Sequence, residues 1–314
     1  MQSSQRLIKP AQHAQLFQET PYPMTANSTP PPMLTDEQMA LIKQQVQLAI
    51  AEDVGSGDLT AQLVPASQTA RASILARETA VICGIAWVNT CFAEIDQTVS
   101  IKWLIHEGEK VEPNQVLCEI SGLARSILTA ERCALNFLQT LSATASQTSL
   151  YVKAIAGTKS QILDTRKTIP NLRWAQKYAV TVGGGQNQRL ALYDGILIKE
   201  NHIAAAGSIE AILKQAKALS GGKSIQIEVE NLAQLKQALH AGAKSVLLDN
   251  FDLSQLQAAV NLNQASGGHA ILEASGGIGL ENVRDIALTG VDRISIGAIT
   301  KNIRAVDLSM RFHS

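Results

Sequence analysis

Beyond Gly157 the chain alternates between two patterns. Short apolar runs, QILD, GILIK, IQIEVE, SVLLD, AILEA and RISIG, are separated by stretches in which apolar residues recur at helical spacing. Runs that are apolar on both faces and divided by helices predict a parallel sheet covered on both sides, either doubly wound or closed as a barrel. The ends of the runs decide between the two. Asp164, Lys199, Glu228, Asp249, Glu273 and Ser295 each fall at or near a C-terminal strand end, at intervals of roughly 20 to 35 residues that suit successive barrel units. A barrel gathers all six around one mouth, whereas an open sheet strings them along an edge. Six runs are two short of the eight-stranded form, so the pattern predicts an incomplete parallel α/β barrel over residues 143–302.

The first half reads differently. Thr35-Asp36-Glu37-Gln38 forms a capping box ahead of Leu41, Ile42, Val46, Ala49 and Ile50, which keep helical spacing. Gly55 and Gly57, within Asp53 to Asp58, predict a sharp reversal, and no further ligands follow at calcium-loop spacing. From Ala70 to Gly122 the runs ASILA, AVICG, VSIKWLI and QVLCEI predict short strands, broken at Glu107-Gly108-Glu109 and Pro113-Asn114. Arg125 to about Ile155 predicts a long helix with Leu128, Leu135, Leu138 and Leu141 in one stripe and Glu131 and Arg132 off it. Residues 35–142 are therefore expected to form an N-terminal α/β sheet domain. Residues 303–314, with Val306, Leu308, Met310 and Phe312, are apolar enough to pack back onto it. Residues 1–34 are Gln/Ser-rich and then broken by Pro21, Pro23 and Pro30-Pro31-Pro32, the composition of a mobile tail.

Charge and composition narrow the partners. The 314 residues balance 27 basic against 27 acidic side chains, so no net field recruits nucleic acid or an acidic membrane, and small molecules are the expected partners. Cys83, Cys91, Cys118 and Cys133 lack metal-site spacing and read as buried packing in a reducing cytoplasm. No apolar run reaches the roughly 18 residues of a membrane span.

Candidate chemistry concentrates between Gln161 and His202. Arg166 and Lys167 follow one apolar run and Lys199 follows the next; between them lie a helix over roughly Leu172 to Val182, the Gly183-Gly184-Gly185 loop and Arg189. If these cations converge, a polyanion is the reason, because burying unpaired ions costs several kcal/mol each; otherwise they are surface charges that never meet. Ala274-Ser275-Gly276-Gly277-Ile278-Gly279, between a strand and a helix, offers bare amides for phosphate, and Gly297 a second close approach. Glu228 and Asp249 suit a metal carried on phosphates or a developing positive charge. Glu230 shares the face of Glu228 and is placed behind it. Lys199 also admits a Schiff-base reading, and His202 is either an acid or a structural group.

The motifs AERCALNFLQTLS, LDTRKTIPNLR, KYAVTVGGGQNQR, LIKENH, EVEN, LLDNF and ISIGAITK, in this order from Ala130 onward, resemble quinolinate phosphoribosyltransferases. The resemblance covers about Thr35 to the end. It implies an N-terminal α/β sheet domain, an incomplete barrel, and a homodimer in which Arg132 completes the neighbouring subunit's site. It implies that Arg132, Thr165, Arg166, Lys167, Gln188, Arg189 and Lys199 bind a pyridine dicarboxylate and sugar phosphates. Lys167, Lys199, Glu228 and Asp249 would be catalytic, the last two facing ribose and its Mg²⁺. Ser275, Gly276, Gly277 and Gly297 would hold the 5′-phosphate. The implied reaction joins quinolinate to phosphoribosyl pyrophosphate with loss of CO₂; transfer to another pyridine acid and a non-catalytic metabolite-binding descendant are the alternatives. The family commonly has histidine where this chain has Gln188 and glycine where it has Ala191. Glutamine can hydrogen-bond a carboxylate but carries no proton or charge.

Overall fold

A computed structural model describes residues 33–313, so the tail expected over residues 1–34 lies almost wholly outside the described residues. The first helix, α1 (Asp36–Val54), starts with the capping box read from the sequence: Thr35 Oγ1 accepts from Gln38 N, and the Gln38 side chain accepts from Thr35 N. Ile42 and Val46 turn its apolar side inward. Strands β1 (Thr69–Ala76), β2 (Ala80–Val81), β3 (Ser100–Trp103), β4 (Lys110–Val111) and β5 (Val116–Leu123) follow. The first, third and fifth join β12 (Leu308–Phe312) in an antiparallel sheet of order β12-β1-β5-β3, while β2 and β4 form a separate pair. The C-terminal segment thus covers an edge of β1, with Ile74 opposite Met310 and Ala76 opposite Leu308.

One element departs from the pattern reading. The run AVICG predicts a strand, yet only Ala80–Val81 pair, and the chain turns at Gly84 into α2 (Ile85–Ile95). This helix buries Trp87, Val88, Cys91 and Phe92, neighbours on one face at helical spacing. The helix carries Asn89 and Ala93, both exposed, on its opposite face. Its N-terminus has no side-chain cap of its own; Glu107 supplies one from a distance, accepting from Gly84 N at 2.8 Å and Ile85 N at 3.0 Å. Burial pushes the Glu107 carboxyl above its usual range, and these two amides pull it back.

The 31-residue helix α3 (Ala124–Ala154) ties the two halves together. Ile127, Ala130, Leu135, Leu138 and Leu141 belong to the core under the antiparallel sheet, whereas Tyr151, near its far end, belongs to the core of the parallel sheet. The second half runs β6 (Gln161–Leu163), α4 (Arg173–Val182), β7 (Gly195–Ile198), α5 (Glu200–Ala206) and α6 (Ile209–Leu219). It continues with β8 (Ser224–Val229), α7 (Leu232–His240), β9 (Ser245–Asp249) and α8 (Leu253–Ala265). Last come β10 (Ile271–Ser275), α9 (Val283–Leu288), β11 (Arg293–Ser295) and α10 (Ala298–Lys301).

All six predicted runs are strands of one parallel sheet, ordered β6-β11-β10-β9-β8-β7. Residues at or just beyond the C-terminal ends of all six line a single cleft, the arrangement of a sheet curled into an incomplete barrel. The ends β6 and β7 do not pair with each other. Beside β6, Gln186 stands in for a strand: its N–H donates to Ile162 O at 2.8 Å and its carbonyl accepts from Asp164 N at 3.2 Å. The loop after α4 is thereby laid against the open edge.

Replacing Glu107 with alanine leaves two amides at the start of α2 without an acceptor. The Glu107→Ala variant is expected to lose about 2 to 4 kcal/mol of stability, read from urea unfolding followed by tryptophan fluorescence.

Candidate active site

Strand ends and the loops after them build the site. The cleft, about 850 Å³, is lined by Thr165, Arg166 and Lys167 after β6, Gln188 and Arg189 after α4, and Lys199 after β7. The ends of the other strands complete the lining with Glu228, Asp249, the Ser275-Gly276-Gly277 turn and Gly297, Glu228 against Lys199 and Gly297 against Lys167 and Thr165. Every residue expected at the site is therefore present in this one cleft except Arg132, which is exposed on α3 and does not line it. Glu230 is exposed past the end of β8, where its N–H donates to the Gln234 side chain; it does not line the cleft. His202 is structural, since its Nδ1 accepts from Lys199 N at 3.0 Å and closes the first turn of α5.

The cationic side is held from beneath by a buried ion pair. Lys177 on α4 and Asp164 at the end of β6 are 2% and 0% exposed, with Nζ to Oδ1 at 2.5 Å. Lys177 Nζ also donates to Gln188 O at 2.9 Å, and Gln188 N donates to Asp164 Oδ1 at 2.8 Å. In the amide orientation that its neighbours dictate, Asn187 donates to Asp164 Oδ2 at 2.7 Å and to Lys177 O at 2.9 Å. Burial pushes the Asp164 carboxyl up to about 6 against the pull of Lys177, and burial likewise pushes Lys177 down. Each charge is tolerated because the other is there. The pair fixes the Asn187 side chain and the backbone of Gln188, and so the starting point of Arg189.

A carboxylate sets the next turn of the loop. Asp194 accepts from Leu190 N at 2.5 Å and from Ala191 N at 2.9 Å. Burial opposes its charge, yet these amides hold the carboxyl below its usual range. Arg189 Nη1 donates to Gly195 O, and its guanidinium is pushed down by burial and then by the nearby Arg166 charge. Among the described residues neither arginine forms an ion pair, and Arg166 Nε is buried without a hydrogen-bond partner. Asp194 offsets part of the Arg189 charge, but the two arginines still oppose each other at an electrostatic cost, and a bound anion reverses that cost. Lys199 is different: its ammonium is bound by Glu228 at 2.8 and 3.0 Å.

The opposite side is backbone. Gly276 has φ of 101°, and a Cβ there would collide with the Asn250 side chain, so only glycine fits. Gly279 N donates to Asn282 Oδ1 and Asn282 Nδ2 donates to Gly277 O, which closes the turn on itself. The helix expected directly behind this loop begins only at Val283, so an anion here meets loop amides and not a helix end. Lys301, Glu281 and Asn302 also line the cleft. Sequence reading missed them because they lie about two helical turns of chain beyond the strand ends at Ser275 and Ser295. It missed Lys177 for another reason: a lysine inside a helix normally reads as a solvated charge.

Lys177→Met strands Asp164 in the interior and is expected to cost about 3 to 5 kcal/mol. The Asp164→Ala, Lys177→Met double variant should cost clearly less than the sum of the singles, a coupling that a double-mutant cycle by urea unfolding measures.

Comparison with known proteins agrees with this geometry. The family model for the quinolinate phosphoribosyl transferase C-terminal domain matches residues 144–311, and that for the N-terminal domain matches residues 58–142. A nicotinate-nucleotide pyrophosphorylase [carboxylating] from Mycobacterium leprae is 38% identical over 285 residues, 88% of this chain and 99% of that protein. A probable enzyme of the same name from Bacillus subtilis is 37% identical over 270 residues, 86% of this chain and 92% of its own length. The solved nicotinate-nucleotide pyrophosphorylase of Francisella tularensis superposes with a TM-score of 0.85 at 44% identity, covering 88% of this chain and 97% of that one. With both domain models matched in order and relatives aligned over nearly their whole length, the chain belongs to the quinolinate phosphoribosyltransferase family.

Proposed function

We propose that the protein transfers the phosphoribosyl group of phosphoribosyl pyrophosphate to quinolinate and releases CO₂, giving nicotinate mononucleotide and pyrophosphate for NAD biosynthesis. The observation that carries this reading is the pair Arg166 and Arg189, unpaired and mutually repelling, in a cleft whose far wall is the Ser275-Gly276-Gly277 turn. Quinolinate brings two carboxylates to the arginine side, which Thr165, Lys167 and Gln188 extend. The 5′-phosphate takes the amides of Ser275, Gly276, Gly277 and Gly297. Lys199, Glu228 and Asp249 lie between the two halves and face the sugar.

This division fits the charge flow. As the bond from C1 of the ribose to pyrophosphate breaks, its electron pair leaves with the pyrophosphate and C1 becomes oxocarbenium-like. Glu228 and Asp249 stabilise that positive centre, and Lys167 and Lys199 favour the departing anion. The pyridine nitrogen then bonds to C1. The ring, now positively charged, accepts the electron pair left when the carboxylate next to the nitrogen departs as CO₂, and a proton fills that carbon. Among the described residues no three His, Cys, Asp or Glu side chains gather as a metal cage. We therefore place Mg²⁺ on phosphoribosyl pyrophosphate, with Glu228 and Asp249 facing it; bound there, it neutralises the leaving group. A Schiff base at Lys199 is disfavoured, since that side chain is 45% exposed and bound by Glu228, whereas such a nucleophile needs desolvation.

Arg132 belongs to the proposal as a residue lent to a second copy. It lies off its own cleft on an exposed face of α3, and a symmetric dimer would carry it into its neighbour's. The four cysteines are buried free thiols, in keeping with a reducing cytoplasm, and among the described residues no helix is long and apolar enough to cross a membrane.

A coupled assay with quinolinate, phosphoribosyl pyrophosphate and Mg²⁺ tests the reaction. CO₂ and nicotinate mononucleotide should form in equal amounts from quinolinate, with no nucleotide from nicotinate as acceptor; nucleotide formation without CO₂, or none at all, overturns the reading. Arg132→Ala and Lys167→Ala are each expected to abolish activity, and an exchanged equal mixture to recover roughly a quarter of the wild-type rate. No recovery after confirmed subunit exchange would remove Arg132 from the neighbour's site.

A further inference from the structure

The interior of the parallel sheet holds a polar chain that the chemistry above does not use. Gln226 on β8 and Glu273 on β10 are buried in the centre of the curled sheet, Glu273 completely. Gln226 Nε2 donates to Glu273 Oε2 at 2.9 Å and to Ser245 Oγ at 3.2 Å. Gln226 Oε1 accepts from Gln188 Nε2 at 2.7 Å. Gln188 Oε1 accepts from Arg189 N at 2.6 Å. Gln188 and Glu273 line the cleft, and Gln226 connects them without lining it.

The chain has a direction, and its far end sets it. Glu273 Oε2 accepts from the Gln226 nitrogen, which leaves the Gln226 oxygen to Gln188, while Glu273 Oε1 is buried without a hydrogen-bond partner. Gln188 must answer with its nitrogen, and its oxygen is taken by the Arg189 amide. What remains for the cleft is the second N–H of Gln188, a donor. An amide free to rotate would present its oxygen as readily, and an oxygen lone pair repels a carboxylate. Apolar side chains would fill the same interior without any desolvation cost, as Leu247 does beside Glu273 on the neighbouring strand. A polar chain kept there at that cost points to a role at the cleft.

We propose that Gln226 and Glu273 are positioning residues for the acceptor: they lock the Gln188 amide as a hydrogen-bond donor to a pyridine carboxylate. This rests on the phosphoribosyl-transfer reading, and deepens it by assigning the recognition of one carboxylate to Gln188 and to the two residues that orient it.

The test is a double-mutant cycle read by steady-state kinetics. Gln226→Met keeps the volume and removes the three side-chain amide hydrogen bonds; it should raise KM for quinolinate about tenfold, the loss of one oriented hydrogen bond to a charged group. KM for phosphoribosyl pyrophosphate and kcat should stay within about threefold, which a general loosening of the core would not respect. In a Gln188→Ala background Gln226→Met should add nothing further to KM, because it acts through Gln188. Glu273→Gln, which preserves packing but can also donate, should raise the same KM by a smaller factor. An unchanged quinolinate KM in either variant, if folded, or effects of Gln188→Ala and Gln226→Met that multiply, overturns the proposal. A wild-type protein that makes no nucleotide from quinolinate overturns the underlying reaction instead, so the two failures are distinct.

Discussion

Asp164 and Lys177 bury opposite charges against each other at the open edge of the parallel sheet, and the cationic half of the cleft depends on that pair. A hydrophobic pair of similar volume could be as stable. It could not also hold the backbone N–H and carbonyl of Gln188 and the amide of Asn187, which the carboxylate and ammonium do together. The loop they hold begins where β6 and β7 fail to meet, so an incomplete barrel becomes useful here: the gap admits a loop from α4 that brings Gln188 and Arg189 to the mouth. The ionic bond trades stability for a defined loop position, and that position brings Arg166 and Arg189 within reach of each other.

The other half of the site needs no charge of its own. The Ser275-Gly276-Gly277 turn is fixed by Asn282 and by its close approach to Asn250, and it offers amides that cost nothing in repulsion when empty. One wall is thus a set of cations that gain by binding an anion, and the other is a shaped backbone. Lys199 and Glu228, already paired, offset each other's charge before the substrates enter. Helix α3 connects this cleft to the antiparallel sheet and carries Arg132 on its exposed side.

Much of this is legible in the chain. Strands buried on both faces are written as apolar runs, and a polar residue at or near the end of most of them marks the mouth, which is why the pattern alone places Lys199, Glu228 and Asp249, whereas Asp164, at the end of its run, is buried and does not line the cleft. The rest is hidden for definable reasons. Helix α2 follows directly on the apolar run AVICG, which reads as a strand, so its start does not show. Lys177 meets Asp164 only after a strand and a helix fold together, and Gln226 looks like an ordinary polar interruption inside IQIEVE. Glu230 obeys the alternation of a strand that has already ended at Val229, and alternation gives it a place it does not occupy. Neither the direction of the Gln226 amide nor the place of Arg132 off its own cleft has any signature in spacing.

The most direct measurement is calorimetric titration of the Asp164→Ala, Lys177→Met protein, charge-neutral in its core, with quinolinate and separately with phosphoribosyl pyrophosphate and Mg²⁺. If the buried pair exists to place Gln188 and Arg189, quinolinate affinity should fall by about tenfold or more, the worth of one or two lost polar contacts, while sugar-phosphate affinity stays near that of the wild type. Equal losses of both affinities in a folded protein, or no loss of either, would contradict that role.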